Sequence, residues 1–145
     1  MDGALPFVDE HLRPVRASVH ATWDAVERLM TAPPSRAAKR YAGMVGARGE
    51  RPFAVAASTP PHRLELTGEH RFASYALVLT VDELGPGLTA LRAQTWAAFP
   101  GTPGRLYRAA VIDSRAHVVA VRRILAGIAR AAERGAASGD VAPAT

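Results

Sequence analysis

His70 is the side chain in this sequence best suited to acid–base chemistry. It shares alternate positions with Leu64, Leu66, Gly68 and Phe72, so on a strand its imidazole joins an apolar face. A histidine so placed can give or take a proton near neutral pH. The plainer alternative is a core or rim imidazole bonded to a neighbouring strand. Tyr75 and Tyr107 bring hydroxyls, and Thr95 brings another between Ala93 and Ala97. These three also fit plainer roles, the tyrosines as amphipathic rim residues and the threonine as a good strand former.

Other chemistries are excluded or poorly supported. There is no cysteine, hence no disulfide, thiolate ligand or thiol nucleophile. The histidines at 11, 20, 62, 70 and 117 show no i, i+4 pairing and no adjacent carboxylate cluster, so neither a metal nor any other cofactor is expected. His11 lies with Asp9 and Arg13 on one face of a first strand and reads as a solvated edge. His117 flanks a helical stripe and can touch sheet or solvent. No Gly-x-Ser-x-Gly elbow occurs, and Gly43, Gly46 and Gly49 are not followed by a lysine in phosphate-loop register.

The net charge is +5, with Lys39 the only lysine. The arginines are scattered along the chain, so nucleic acid is not the expected partner. Arg108, Arg115 and Arg122 share a face at seven-residue spacing, which leaves a protein or nucleic-acid interaction surface as an alternative. An apolar fraction of 48% over 145 residues fits one soluble domain. No membrane span and no signal peptide are apparent, and with no cysteine a cytoplasmic location is expected.

These residues must be positioned by a definite order of elements. Phe7–Ala17 alternates as a strand, and Pro14 makes it an edge or a bulged strand. Ser18 caps a helix over His20–Met30 with Trp23, Val26 and Met30 on its buried side. Pro33-Pro34 ends it, and Ser35 caps a second helix, Arg36–Val45, before a Gly46–Pro52 loop. Strands follow at Phe53–Ser58, Arg63–Phe72, Ser74–Leu84 and Leu88–Phe99, the last two joined by Gly85-Pro86-Gly87. From Thr102 to about Arg134, Tyr107, Val111, Ser114, Val118, Val121, Leu125, Ile128 and Ala132 alternate at spacings of four and three. That stripe predicts one long closing helix. One domain over 5–134 and a disordered tail over 135–145 complete the reading.

Segregated strands and helices indicate α+β architecture. Tyr75, Leu77, Leu79 and Val81 share one face of their strand, and Leu91, Ala93, Thr95 and Ala97 share one face of the next. Large side chains thus stand beside small ones under a long helix. Either the helix packs directly on the alanines, or a cavity remains for a ligand. Val78 and Trp96 point outward, which suggests a homodimer through the opposite face.

The same order resembles the START-like superfamily, also called SRPBCC. FVDEHLRPVRASVHATWDAV resembles its opening strand and Trp-bearing helix, LELTGEHRFASYALVLTVDEL and TALRAQTWAAFPG its late strands, and GRLYRAAVIDSRAH its closing helix. The likeness spans nearly all of residues 5–134 and consists of packing patterns, without a catalytic signature. Five or six strands stand where the family pattern has seven, which implies a smaller cavity or an open wall. The resemblance implies a helix-grip fold, a curved antiparallel sheet wrapped around a long C-terminal helix with two short helices after the first strand. It also implies a small hydrophobic ligand, lipid- or polyketide-like, held between sheet and C-terminal helix, with no catalysis or an activity that the resemblance does not specify. The alternative it carries is a polyketide cyclase- or dehydratase-like enzyme. Leu66, His70, Tyr75, Leu77, Leu79, Ala93, Thr95, Tyr107 and Val111 are the expected ligand contacts, with His70 the candidate catalytic group.

Overall fold

The computed structural model describes residues 4–47 and 53–139. Its elements, in chain order, are β1 (Phe7–Val15), α1 (Val19–Thr31), α2 (Arg36–Val45), β2 (Ala54–Thr59), β3 (Arg63–His70), β4 (Ala73–Gly85), β5 (Leu88–Ala98), α3 (Gly101–Arg108), a π-helical turn (Ala109–Asp113) and α4 (Ala116–Gly139). All strand pairs are antiparallel, in the order β1-β5-β4-β3-β2. This is the α+β helix-grip arrangement, with the curved sheet holding the C-terminal helices.

The local signals act as their chemistry dictates. Ser18 Oγ accepts the Ala21 N–H and Ser35 Oγ the Ala38 N–H, each at 3.1 Å, so both helices start on a side-chain cap. Gly46 closes α2 in the left-handed region, at φ 69°; residues 48–52 of the expected loop lie outside the described residues. Pro14 sits on the edge strand β1, where no donor is missed, and the bulge falls at Phe7–Asp9 instead. Gly87, at φ 66°, completes the turn that returns β4 into β5.

The hairpin register places Tyr75 opposite Ala97, Leu77 opposite Thr95, Leu79 opposite Ala93 and Val81 opposite Leu91. Together with Leu64 and Leu66 of β3, this face packs against Trp23 and Val26 of α1 and Val121, Leu125 and Ile128 of α4. The Arg16 N–H donates to Glu133 Oε1 at 3.0 Å and ties α4 to the end of β1. Thr89 Oγ1 donates to the Ala17 carbonyl at 2.7 Å, anchoring the entry to α1. Among the described residues, no helix is long and apolar enough to cross a membrane.

Four expectations need correction. The closing helix is not continuous: the π-turn and Arg115, at φ 63°, separate α3 from α4. One straight helix over 102–134 would span about 50 Å, well beyond the breadth of a domain this size. Breaking it folds the first segment back over the sheet. The Ser114 hydroxyl bonds to the Ala110 carbonyl and competes for the backbone where the helix breaks. The break also puts Arg108, Arg115 and Arg122 on separate segments, so they do not share one helical face.

The helix persists through residues 135–139 of the segment expected to be a disordered tail, while 140–145 lie outside the described residues. Val78 does point away from the core, but it is only 4% exposed. Its neighbours cover it. Glu10 accepts from Arg92 at 2.8 Å and from Gln94 at 2.7 Å, stretching a polar lattice across that face. Exposed apolar surface there is supplied by Phe7, 53% exposed and edge-on to Trp96.

The packing predicts a clear ranking under urea denaturation. Leu125→Ala, which empties a buried site in the core, should cost about 2–5 kcal/mol. Ser18→Ala removes one cap and should cost about 1 kcal/mol. Equal losses would contradict the placement of the core.

Candidate functional site

Beyond the packed core, the space between sheet and helices opens into a cavity of about 370 Å³, within the range of small-molecule sites. Its floor is Leu77, Thr95 and Ala97 on the β4–β5 hairpin. Val111 and Ile112 of the π-turn and Ala120, Val121 and Ile124 of α4 form its roof. The floor is low because β5 presents small side chains, and the roof stands off because the helix breaks. Aromatic rings close one end: Tyr41, Phe53, Tyr75, Phe99 and Tyr107 all line it.

That end is a connected cluster. Phe72 stacks on Tyr107 at 5.6 Å, and Phe53 meets Tyr75 edge-on at 5.1 Å. Tyr41 and Tyr107 join α2 to α3 through a hydroxyl–hydroxyl hydrogen bond. Burial pushes the Tyr75 phenol up to about 12, and burial with the Tyr41 hydrogen bond raises Tyr107 further. Both therefore stay protonated near neutrality and serve as hydrogen-bonding groups, not as phenolates. Gly104 makes the closure possible. A Cβ there would lie 2.7 Å from the Phe99 carbonyl carbon and 3.1 Å from the Phe72 carbonyl oxygen, so α3 rests directly on backbone.

His70 lies at the cavity wall, 7% exposed, with its ring 4.9 Å from that of Tyr107 and 5.5 Å from that of Tyr75. Its Nδ1 accepts the Phe72 N–H at 3.1 Å. Burial disfavours the imidazolium and lowers its pKa from 6.5. The neutral ring then carries its hydrogen on Nε2 and is a donor. It is suited to polarising a carbonyl; removing a proton would require giving up the bond to Phe72.

A second polar cluster enters from β1. Asp9 Oδ1 bonds His117 Nε2 at 3.2 Å and Asp9 Oδ2 bonds His11 Nε2 at 3.0 Å. His117 lines the cavity. Burial raises the Asp9 pKa, but the hydrogen bonds from His117 and His11 outweigh it and hold the carboxyl below its ordinary value. His11 is consequently not on a solvated edge. It pairs with Ala93, placing it on the inner face, and its side chain is 16% exposed. Among the described residues, no group of three His, Asp or Glu side chains is arranged to hold a metal.

Of the expected contacts, His70, Tyr75, Leu77, Thr95, Tyr107 and Val111 line the cavity. Leu66, Leu79 and Ala93 do not. They share the inward face, but lie where α1 and α4 press directly on the sheet. The lining also includes Tyr41, Phe53, Phe99 and His117, which sequence reasoning did not select. Phe99 continues the 91, 93, 95, 97 parity, and His117 is four residues before Val121, so the signal for both was present.

Solved structures share this architecture. CalU16 from Micromonospora echinospora matches with a TM-score of 0.53 and 15% identity, over 83% of this chain and 70% of that one. A conserved protein from Geobacillus kaustophilus matches at 0.50 and 15%, covering 89% and 94% of the two chains. TTHA0849 from Thermus thermophilus matches at 0.50 and 11%, covering 90% and 99%. No family model and no curated protein matches the sequence. Identities this low speak for the fold alone, the same curved antiparallel sheet and C-terminal helices.

Two outcomes follow. Gly104→Ala should push α3 off the sheet, costing about 1–3 kcal/mol in urea unfolding and weakening uptake of apolar fluorophores; unchanged stability and uptake would show that α3 is not seated there. His70 has a depressed folded pKa, so the unfolded chain binds its proton first and stability falls as pH drops below 6.5. In urea titrations from pH 7 to 5, His70→Phe should lose less stability than the parent protein.

Proposed function

We propose that this chain binds a small hydrophobic molecule, lipid- or polyketide-like, in the cavity between the β4–β5 hairpin and the C-terminal helices. The observation that carries the reading is the cavity itself. It is walled almost wholly by carbon, closed at one end by aromatic rings, and left open by small residues where a filled core would place large ones. Apolar surface in such a space gains most by meeting an apolar ligand. Binding without catalysis is the favoured form, since among the described residues no side chain around His70 completes a base–nucleophile pair.

A second reading, a cyclase- or dehydratase-like enzyme, is favoured by one observation. His70 supplies a neutral donor in a mostly apolar space, where a hydrogen bond to a ligand carbonyl is strengthened. The two readings part at His70→Ala. A binder should lose affinity alone, whereas an enzyme should keep binding and lose turnover. An arginine-surface interaction module draws little support, since the three arginines that suggested it sit on separate segments.

Native mass spectrometry of the purified protein, followed by denaturing extraction, tests the main reading. A discrete mass increment that releases an apolar compound is expected. A bare protein that also takes up no apolar fluorophore would contradict it.

A further inference from the structure

The polar groups near β1 say what kind of ligand the cavity takes. Asp9 stands opposite Thr95 in the β1–β5 register, so both side chains project to the inner face. Both carboxylate oxygens of Asp9 are occupied, one by each imidazole. An ionised carboxylate only accepts, so a His117 hydrogen sits on Nε2, and a ring carrying that single hydrogen leaves Nδ1 as an acceptor. His117 lines the cavity, and its Nδ1 has no partner among the described residues. Thr95 lines the same space at 6% exposure, and its buried Oγ1 has no hydrogen-bond partner.

A buried hydroxyl without a partner is rare and costly. Here it accompanies an oriented imidazole acceptor, and the two share one cavity. A carbonyl would satisfy Thr95 but set its lone pairs against those of Nδ1. A carboxylate would meet the same acceptor and the charge of Asp9. A hydroxyl meets both demands, giving its hydrogen to His117 and accepting one from Thr95. The aromatic rings lining the cavity suit a flat, unsaturated body behind that hydroxyl.

Resting on the reading of the cavity as a ligand site, we propose that it selects hydrophobic compounds bearing a phenolic or enolic hydroxyl, which donates to His117 Nδ1 and accepts from Thr95 Oγ1. Asp9 is a positioning residue: it fixes the tautomer that leaves Nδ1 bare. Such a hydroxyl is also the stronger donor among hydroxyls, because its oxygen is attached to an unsaturated carbon.

Calorimetric titration with 2-naphthol and 2-methoxynaphthalene tests this, since the second compound keeps the rings and lacks the donor. The protein should prefer 2-naphthol by about tenfold, the worth of one well-made hydrogen bond. His117→Phe should shrink that preference, whereas Thr95→Val, which removes a donor that the oxygen of either compound can accept from, should weaken both and leave the preference. Equal binding of the two compounds by the parent protein would overturn the inference and leave the container standing; failure to bind either would overturn both. If His117→Phe does not fold, imidazole ¹⁵N shifts of the ligand-free protein serve instead. They should show His117 Nδ1 without a proton, and a protonated Nδ1 would refute the assignment. A merely structural clamp between β1 and α4 would lower both affinities together and leave the preference intact.

Discussion

The β4–β5 register governs both the core and the cavity of this domain. Because side chains alternate along a strand, slipping that pairing by one residue would turn Leu77, Leu79 and Val81 outward and bring Val78 and Thr80 in. The Gly85–Gly87 turn holds the register at one end, with Gly87 in a backbone region that other residues enter at a cost. Once it is set, large residues on β4 stand beside small ones on β5. Toward the turn, α1 and α4 fill the resulting groove. Toward the other end no described side chain fills it, and the cavity begins there.

The interrupted closing helix is the counterpart of that groove. An unbroken helix would carry Tyr107 and Val111 along the axis of α4. The π-turn and the left-handed Arg115 instead turn α3 across the sheet, where Gly104 lets it rest on backbone and Tyr107 reaches His70, Phe72 and Tyr41. A left-handed arginine is a local cost of about 1–2 kcal/mol, offset by the apolar contacts the turn permits. The cavity thus combines two features of different range, a hairpin register set locally and a helix break set by what lies beneath it.

Much of the fold was legible because its signals are local. Ser18 and Ser35 cap the helices they precede, the strand limits fall within a residue or two of their turn residues, and parity places Tyr75, Leu77, Thr95 and Ala97 inward together. The helix break was not legible. Its periodic stripe persists through Ser114, and only the end of the sheet beneath determines where the helix must turn. Val78 illustrates a related limit, since parity assigns a face but cannot show that Glu10, Arg92 and Gln94 would cover it. Asp9 and its two histidines were missed for a similar reason. Residues 9, 11 and 117 become neighbours only when β1 takes the sheet edge beside β5 and α4 crosses it.

The space between hairpin and helices is a cavity and not packed core. Methyl-selective NMR during titration with an apolar aromatic compound such as naphthalene addresses it directly. The account predicts saturable shifts at Leu77, Val111, Val121 and Ile124, which line the space, with Val55 and Leu84 on the exposed surface unmoved. Shifts confined to exposed methyls, or none at all, would contradict it.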